Sequence, residues 1–334
     1  MATKPKLGEA VEPGCDLTFE DVLDARARIA PYLRRTPVVR TPALDESLGC
    51  EAYVKCENLQ PIGAFKIRGG INFMSRLTEE QRARGVVTAS TGNHGQSVAY
   101  AARLFGLRAI IHVPERANPL KVESISRLGA EIVMAGKDFD QAKVIAEEHA
   151  RREGMIFISS GDEPHLIAGV ATACLELLED VPGLDMVIVP VGGGSGASGA
   201  CLARDGLSPS TRVIGVQAAQ APSVAESWRK GRLVSYESAP TFADGLATRQ
   251  PFIMPLRIMR AKLADFWLVG EEDMKEGIRL LARALHVVAE GAGAAATAAA
   301  LRHRNEVKGR KVGLMLSGGN LPLDVLRDIL AGES

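Results

Sequence analysis

GVVTASTGNHGQSVAYAARLFGLRAIIHVP, residues 85–114, carries the rhythm from which the fold follows. GVVTAS (85–90) is an apolar, β-branched run without polar alternation, QSVAYAARLF (96–105) is helix-like, and RAIIHVP (108–114) is a second apolar run. A strand that does not alternate is buried on both faces. A helix that returns the chain to another such strand makes a right-handed parallel crossover. Between strand and helix lies STGNHGQS (90–97), a small polar loop at the strand end where open α/β sheets bind ligands.

The same rhythm continues outward. AEIVMA (130–135) precedes a helical stretch to Arg152, and MIFIS (155–159), MVIVPV (186–191), RVIGVQA (212–218) and KVGLMLS (311–317) repeat the strand pattern. The fold class is therefore α/β, with two open, mostly parallel, twisted sheets covered by helices on both faces. At 334 residues the chain has room for two modest domains. No glycine-serine or proline-rich linker separates them, so the domains are expected to exchange chain. Residues 84–155 are expected to form a small mobile substrate-binding unit, and residues 1–83 with 156–334 the large domain. LTFEDVLDARARIAPYL (17–33) reads as a capped helix with Thr18 as N-cap and Asp21 at the third helical position. The first ~15 residues are expected to be poorly ordered, and the alanine-rich stretch 292–300 is a good helix former.

Composition narrows the function. The 40 basic and 40 acidic residues cancel, so no basic field exists for nucleic acid or an anionic membrane, and 4% aromatic content leaves little for stacking on bases. Cys15, Cys50, Cys56, Cys174 and Cys201 are odd in number, lack metal-ligand spacing and read as small buried hydrophobes in a reducing compartment. MATKPKLGEAVEPGCD lacks a signal-peptide core, and no apolar run reaches membrane-spanning length, which places the expected location in the cytoplasm.

Three loops of small residues follow predicted strands: STGNHGQS (90–97), GGGSGASG (192–199) and SGGN (317–320). Unsatisfied amides at a helix start, at the positive end of its dipole, hold a carboxylate or phosphate. Glycine after a strand is common in turns, but three such loops at strand ends point to a ligand crevice. Gly194, Gly196 and Gly199 satisfy the dinucleotide fingerprint; the next strand, however, offers Gln217 where an acid would bind ribose. No Gly-Lys-Ser/Thr follows either, so the loops favour a phosphate and not a dinucleotide.

YVKCENLQPIGAFKIRGG (53–70) places Lys66 between Phe65 and the Gly69-Gly70 pair. A lone lysine is ordinarily a solvated surface charge. Apolar and small flanks would desolvate this one and lower its pKa, and lysine forms Schiff bases with carbonyl cofactors. A phosphate cradle and such a lysine together suggest pyridoxal phosphate.

With ENLQPIGAFKIRGG, STGNHGQS, PVGGGSG and LSGGN in that order, the chain resembles the fold-type II (tryptophan synthase β-like) pyridoxal-phosphate enzymes, in the threonine/serine dehydratase and serine racemase branch. The resemblance runs from Thr18 to about Leu330. It implies that the large domain binds the cofactor, that Lys66 carries it and handles the Cα proton, and that Phe65 packs on the ring. Asn93 would bond the ring's phenolic oxygen, Gly192, Gly193, Gly194, Ser195 and Gly196 would wrap the phosphate, and Ser317 would meet the pyridine nitrogen. Ser90, Thr91, Gly92, Asn93 and His94 would hold the substrate, with Thr91 a further catalytic candidate. Glu290, in AEGAGA, falls near the cofactor in this resemblance, although it could equally cap the following helix. ADGLATR (243–249) resembles a loop beside the substrate side chain, which brings in Gly245, with Asp244 and Arg249 as selectors or plain turn and surface residues. A homodimer is implied as well.

The implied activity is loss of water from a β-hydroxy amino acid, giving a 2-oxo acid and ammonia. Serine at the ring nitrogen, unlike aspartate, would favour prompt elimination over transamination. Three departures bear on this. Gln217 and Ser223 stand where metal-activated members carry acids, so no divalent metal is expected. Ser195 replaces a common fourth glycine, and Thr91 replaces the serine of the racemase branch, making racemisation the lesser expectation. The chain ends at Ser334, so feedback through an appended regulatory domain is not expected. Alternatives are an amino-acid racemase or 3-hydroxyaspartate dehydratase on the same scaffold, a β-replacement enzyme, which the GNHGQ loop disfavours, and a catalytically silent amino-acid or cofactor binder.

Overall fold

The computed structural model describes residues 6–117 and 119–332. Its strands, in chain order, are β1 (Val38–Val39), β2 (Glu51–Cys56), β3 (Val86–Ala89), β4 (Ala109–Val113), β5 (Glu131–Met134), β6 (Ile156–Phe157), β7 (Met186–Pro190), β8 (Arg212–Ala218), β9 (Asp265–Val269) and β10 (Lys311–Leu316). They form a six-stranded sheet of order β1-β2-β10-β7-β8-β9 and a four-stranded sheet of order β5-β4-β3-β6. Every pairing is parallel except β1 with β2. All residues of β3, β4 and β7 are buried, as unalternated apolar strands require.

The sheet orders locate the crevice. Strands β7, β8 and β9 run outward in sequence while β10 inserts on the other side of β7, so the chain reverses direction there. In the smaller sheet β3, β4 and β5 run one way and β6 lies on the other side of β3. At such reversals the loops leaving the strand ends diverge and open a binding crevice. The loops concerned are those after β7, β10 and β3, which are the three glycine-containing loops.

Three strands escaped the sequence pattern: β1, β2 and β9. EAYVKC and DFWLV mix charged and apolar residues, and Lys55 is buried within β2. The smaller sheet extends to Phe157, past the expected edge at 155, because Val86 and Val87 of β3 pair with Ile156 and Phe157. The first residues also differ from expectation where they are described. Val11 is buried, the amides of Gly8 and Val11 donate to Leu233 and Gly231, and Gly14 donates to Arg257. Residues 1–5, part of the same expectation, lie outside the described residues. The helix Phe19–Ile29 starts at Thr18, whose N–H donates to the Asp21 carboxylate at 2.8 Å. Cys50, Cys56, Cys174 and Cys201 are buried and unpaired, and Cys15 is partly buried. Among the described residues no helix is long and apolar enough to cross a membrane.

Candidate active site

Lys66 opens the helix Lys66–Met74, directly after the bridge between Ala64 and Gly318 that ties this segment to the end of β10. The Phe65 N–H donates to Ser317 O at 3.0 Å, so the lysine segment and the β10 loop are one unit. Lys66 Nζ donates to Ser195 Oγ at 2.7 Å and lies 5.3 Å from the Phe65 ring centroid. Among the described residues no carboxylate is paired with it. Burial without a counter-charge disfavours the ammonium and lowers its pKa to about 8. The Ser97 hydroxyl donates to Lys66 O at 2.6 Å, which couples the lysine to the helix that follows β3.

Ser195 is the first residue of the helix Ser195–Leu207, and Gly194 before it has φ +92°, where a side chain would be strained. Gly192 is needed for a different reason, because a Cβ there would stand 2.0 Å from Gly245 O. A Cβ on Gly193 would stand 3.1 Å from Phe252, and one on Gly196 would stand 3.3 Å from the Phe65 ring. The bare backbone after β7 thus ends at a helix N-terminus beside a buried amine. Gly199, third glycine of the fingerprint, serves packing instead, since a Cβ there would meet Ala171 backbone at 2.8 Å.

The loop after β3 closes the other side. Gly92 precedes the helix Asn93–Leu104, and the Gly92 N–H donates to Ser90 Oγ at 3.2 Å. Ser90 is buried and Thr91 is half-buried in the bend. Asn93 Nδ2 donates to Glu290 Oε1 at 2.7 Å, and Asn93 Oδ1 accepts from Asn320 Nδ2 at 2.7 Å. Glu290 is also the residue before the helix Gly291–Arg302; its N–H donates to Gly318 O at 3.1 Å. It stands at the N-cap position, but its side chain makes no cap hydrogen bond and accepts instead from Asn93. Gly245 lies beside it, its added Cβ 3.9 Å from Glu290 Oε1. Sequence reasoning missed Asn320, although it ends the SGGN motif; Ser97, two residues beyond the GNHG turn, was missed as well.

His94 is the exception among the expected site residues. Its Nε2 lies 3.0 Å from Thr88 Oγ1, and that hydroxyl gives its proton to Ile158 O at 2.7 Å. Nε2 must therefore be the donor in their contact, which places a proton on Nε2. Burial, and after it the Lys66 charge, pushes the His94 pKa down to about 3. The ring is committed to bracing β3 and holds no charge for a substrate.

Gln217 and Ser223 are engaged internally. Gln217 Oε1 accepts from Ala225 N at 3.0 Å, and Ser223 Oγ donates to Thr248 O. Arg249 pairs with Asp138 and Asp140 of the smaller unit.

The residues fit pyridoxal phosphate on three grounds. The backbone after β7 is bare and approaches Gly245 O too closely to admit a Cβ at Gly192, its helix N-terminus suits a phosphate, and an amine without a counter-charge, able to condense with a carbonyl, lies beside it. Ser317, 9% exposed at the end of β10, supplies a neutral hydroxyl on the same side.

Comparison with known proteins points the same way. The family model described as "Pyridoxal-phosphate dependent enzyme" matches residues 29–318. The L-threonine ammonia-lyase of Thermotoga maritima is 40% identical over 314 residues, covering 94% of this chain and 78% of the relative. The L-threo-3-hydroxyaspartate ammonia-lyase of Saccharomyces cerevisiae is 36% identical over 95% of this chain and 97% of its own. Among solved structures, maize serine racemase superposes with a TM-score of 0.89 at 33% identity, covering 94% of this chain and 97% of that one.

Proposed function

This chain belongs to the pyridoxal-phosphate dependent enzyme family, and on that premise we propose that it removes water from threonine or serine, releasing a 2-oxo acid and ammonia. One observation carries the reading: the Lys66 amine lies 2.7 Å from Ser195 Oγ, at the start of a helix suited to phosphate.

When bound, the cofactor supplies a carbonyl that joins the substrate nitrogen and a ring that withdraws electrons from Cα. The amides from Gly192 to Gly196 hold its phosphate at the positive end of the helix dipole. Lys66 Nζ, with its pKa lowered to about 8, is substantially neutral at a mildly alkaline pH and takes the proton from Cα. Ser317 offers the ring nitrogen a neutral hydroxyl. Unlike a carboxylate it does not hold a proton there, which favours prompt loss of the β-hydroxyl over transamination. The loop Ser90–His94 receives the substrate carboxylate on backbone amides and the Thr91 hydroxyl. Glu290 and Asn320 fix the orientation of Asn93, so that its amide is preset for the cofactor's phenolic oxygen.

Charge separates the candidate substrates. Among the described residues gathered in the crevice, Lys66 is the cationic side chain, His94 is neutral and Glu290 is an acid. Arg249, on the adjoining loop, is committed to two aspartates. A second substrate carboxylate finds no unpaired cation here, which favours threonine and serine over 3-hydroxyaspartate. Racemisation is the second reading, supported by the likeness to a serine racemase and by the Thr91 hydroxyl beside the substrate loop. The domain division, with residues 84–155 as the substrate-binding unit, belongs to the same proposal, as do a cytoplasmic location, a homodimer and no need of a divalent metal.

Ammonia release from L-threonine, L-serine and L-threo-3-hydroxyaspartate, with and without a chelator, tests this. The expected result is a kcat/KM at least about tenfold higher for a neutral substrate, equivalent to ~1.4 kcal/mol, and no chelator effect. Preference for 3-hydroxyaspartate, or serine racemised faster than it is deaminated, would overturn the proposal.

A further inference from the structure

The smaller unit is held at its two sides by different kinds of contact. On one side the helix Lys66–Met74 packs into it through an apolar cluster that includes Ile67, Ile71, Met74, Val98 and Ile111. On the other, the helix Phe139–Glu153 faces the segment that follows Gly245, and the contacts are polar. Arg249 NH1 lies 3.3 Å from Asp138 Oδ2, and its second terminal nitrogen pairs with Asp140. Lys143, one turn along the same helix, stands 5.3 Å from the Phe252 ring centroid. Just beyond the smaller unit, Asp162 Oδ1 accepts from Met254 N at 3.0 Å.

The same segment touches the phosphate loop with its other face. Gly245 O occupies the place of a Cβ on Gly192, and the Phe252 ring covers Gly193. Residues 245–254 therefore connect the helix Phe139–Glu153 to the loop after β7. Asp138 is itself fixed as N-cap of that helix, its Oδ1 accepting from Gln141 N at 3.0 Å.

We propose that Arg249 is a positioning residue, clasped by Asp138 and Asp140 so that the loop Ser90–His94 is held opposite Lys66. The proposal rests on the crevice being the active site, but not on which amino acid is turned over. Partly exposed ion pairs are individually weak and are screened by salt, whereas the apolar side is not. The clasp is thus the side that releases first, and the packed helix Lys66–Met74 is the side that stays.

The test uses the cofactor-loaded, substrate-free protein and compares wild type with Arg249→Gln, Arg249→Lys and the exchange variant Arg249→Asp/Asp140→Arg. Amide hydrogen exchange in helix Phe139–Glu153 is expected to be about fivefold faster in Arg249→Gln, with exchange in helix Lys66–Met74 unchanged. KM for the amino acid is expected to rise about fivefold while kcat changes less than about twofold, and Arg249→Lys and the exchange variant recover part of both effects. Added salt should raise the wild-type KM and leave that of Arg249→Gln unaltered. Unchanged exchange and KM in Arg249→Gln, or no recovery in either rescue variant, would overturn the proposal. Absence of turnover in the wild type would count against the functional reading instead, and the exchange measurement would still decide the clasp.

Discussion

Replacing Arg68 with methionine should destabilise the protein more than any exposed ion pair could. Arg68 lies two residues beyond Lys66 on the same helix and is 1% exposed. Its guanidinium makes five hydrogen bonds, two to Glu57, two to Glu176 and one to Thr172, at 2.7–3.1 Å. Lys55, fully buried, adds a bond to Glu176 at 2.6 Å and one to Thr36 O at 2.7 Å. Two cations and two carboxylates thus balance. Methionine fills similar volume but leaves Lys55 alone between two buried carboxylates, a change worth about 3–5 kcal/mol. With a urea slope of about 3 kcal/mol/M, the unfolding midpoint should fall by roughly 1–1.7 M. Burial pushes the Glu57 carboxyl up, but the Arg68 charge and the hydrogen bonds of Arg68 and Thr36 outweigh it and hold the pKa below the usual range. In the wild type that stabilisation is whole above the ordinary unfolded carboxyl pKa and is lost as pH falls from there through the lowered folded pKa. In the variant burial prevails and the carboxyl is raised, so the deficit should shrink as pH falls from neutrality towards the ordinary carboxylate range. A loss under about 1 kcal/mol, the size of a surface pair, or a deficit independent of pH would refute the reasoning.

Further outcomes follow from single residues. In cofactor-free protein, alkylation of Lys66 should rise with a midpoint near pH 8, not at the ordinary lysine value. Because the folded pKa is the lower one, the stability of that protein should also increase as pH climbs above 8. Peptide mapping after brief labelling and thermal scans check these two. His286 has φ +59° after the helix Glu271–Leu285, so His286→Gly should raise stability by about 1 kcal/mol, read from the unfolding midpoint. Gly192→Ala puts a Cβ 2.0 Å from Gly245 O and should weaken cofactor binding by at least about tenfold, measured by titrating the visible absorbance.

Much of the fold was legible in the sequence because the parallel strands β3, β4, β7, β8 and β10 are mainly apolar and lack polar alternation, each preceding or following a helix. The lysine and the glycine loops were legible as local motifs. What was hidden depended on residues far apart in the chain. Lys55, Glu57, Arg68 and Glu176 are residue types that are ordinarily solvated, and only the fold brings Glu176 to Lys55 and Arg68. Lys55 gave one signal, its place between Val54 and Cys56, yet the same charge obscured β2 as a strand. Glu290 and Asn93 are 197 positions apart, so their bond could not be read from either motif. The ring contact of His94 was hidden as well, because its partner Thr88 lies within β3, where a threonine reads simply as a strand former.

The role of Lys66 is decided by ammonia production from L-threonine or L-serine, assayed side by side for the cofactor-loaded wild type and for Lys66→Ala. Equal amounts of ammonia and 2-oxo acid are expected from the wild type, with a fall of at least about a thousandfold when the base and cofactor-carrying amine are removed. A Lys66→Ala protein that still deaminates at the wild-type rate would contradict that role.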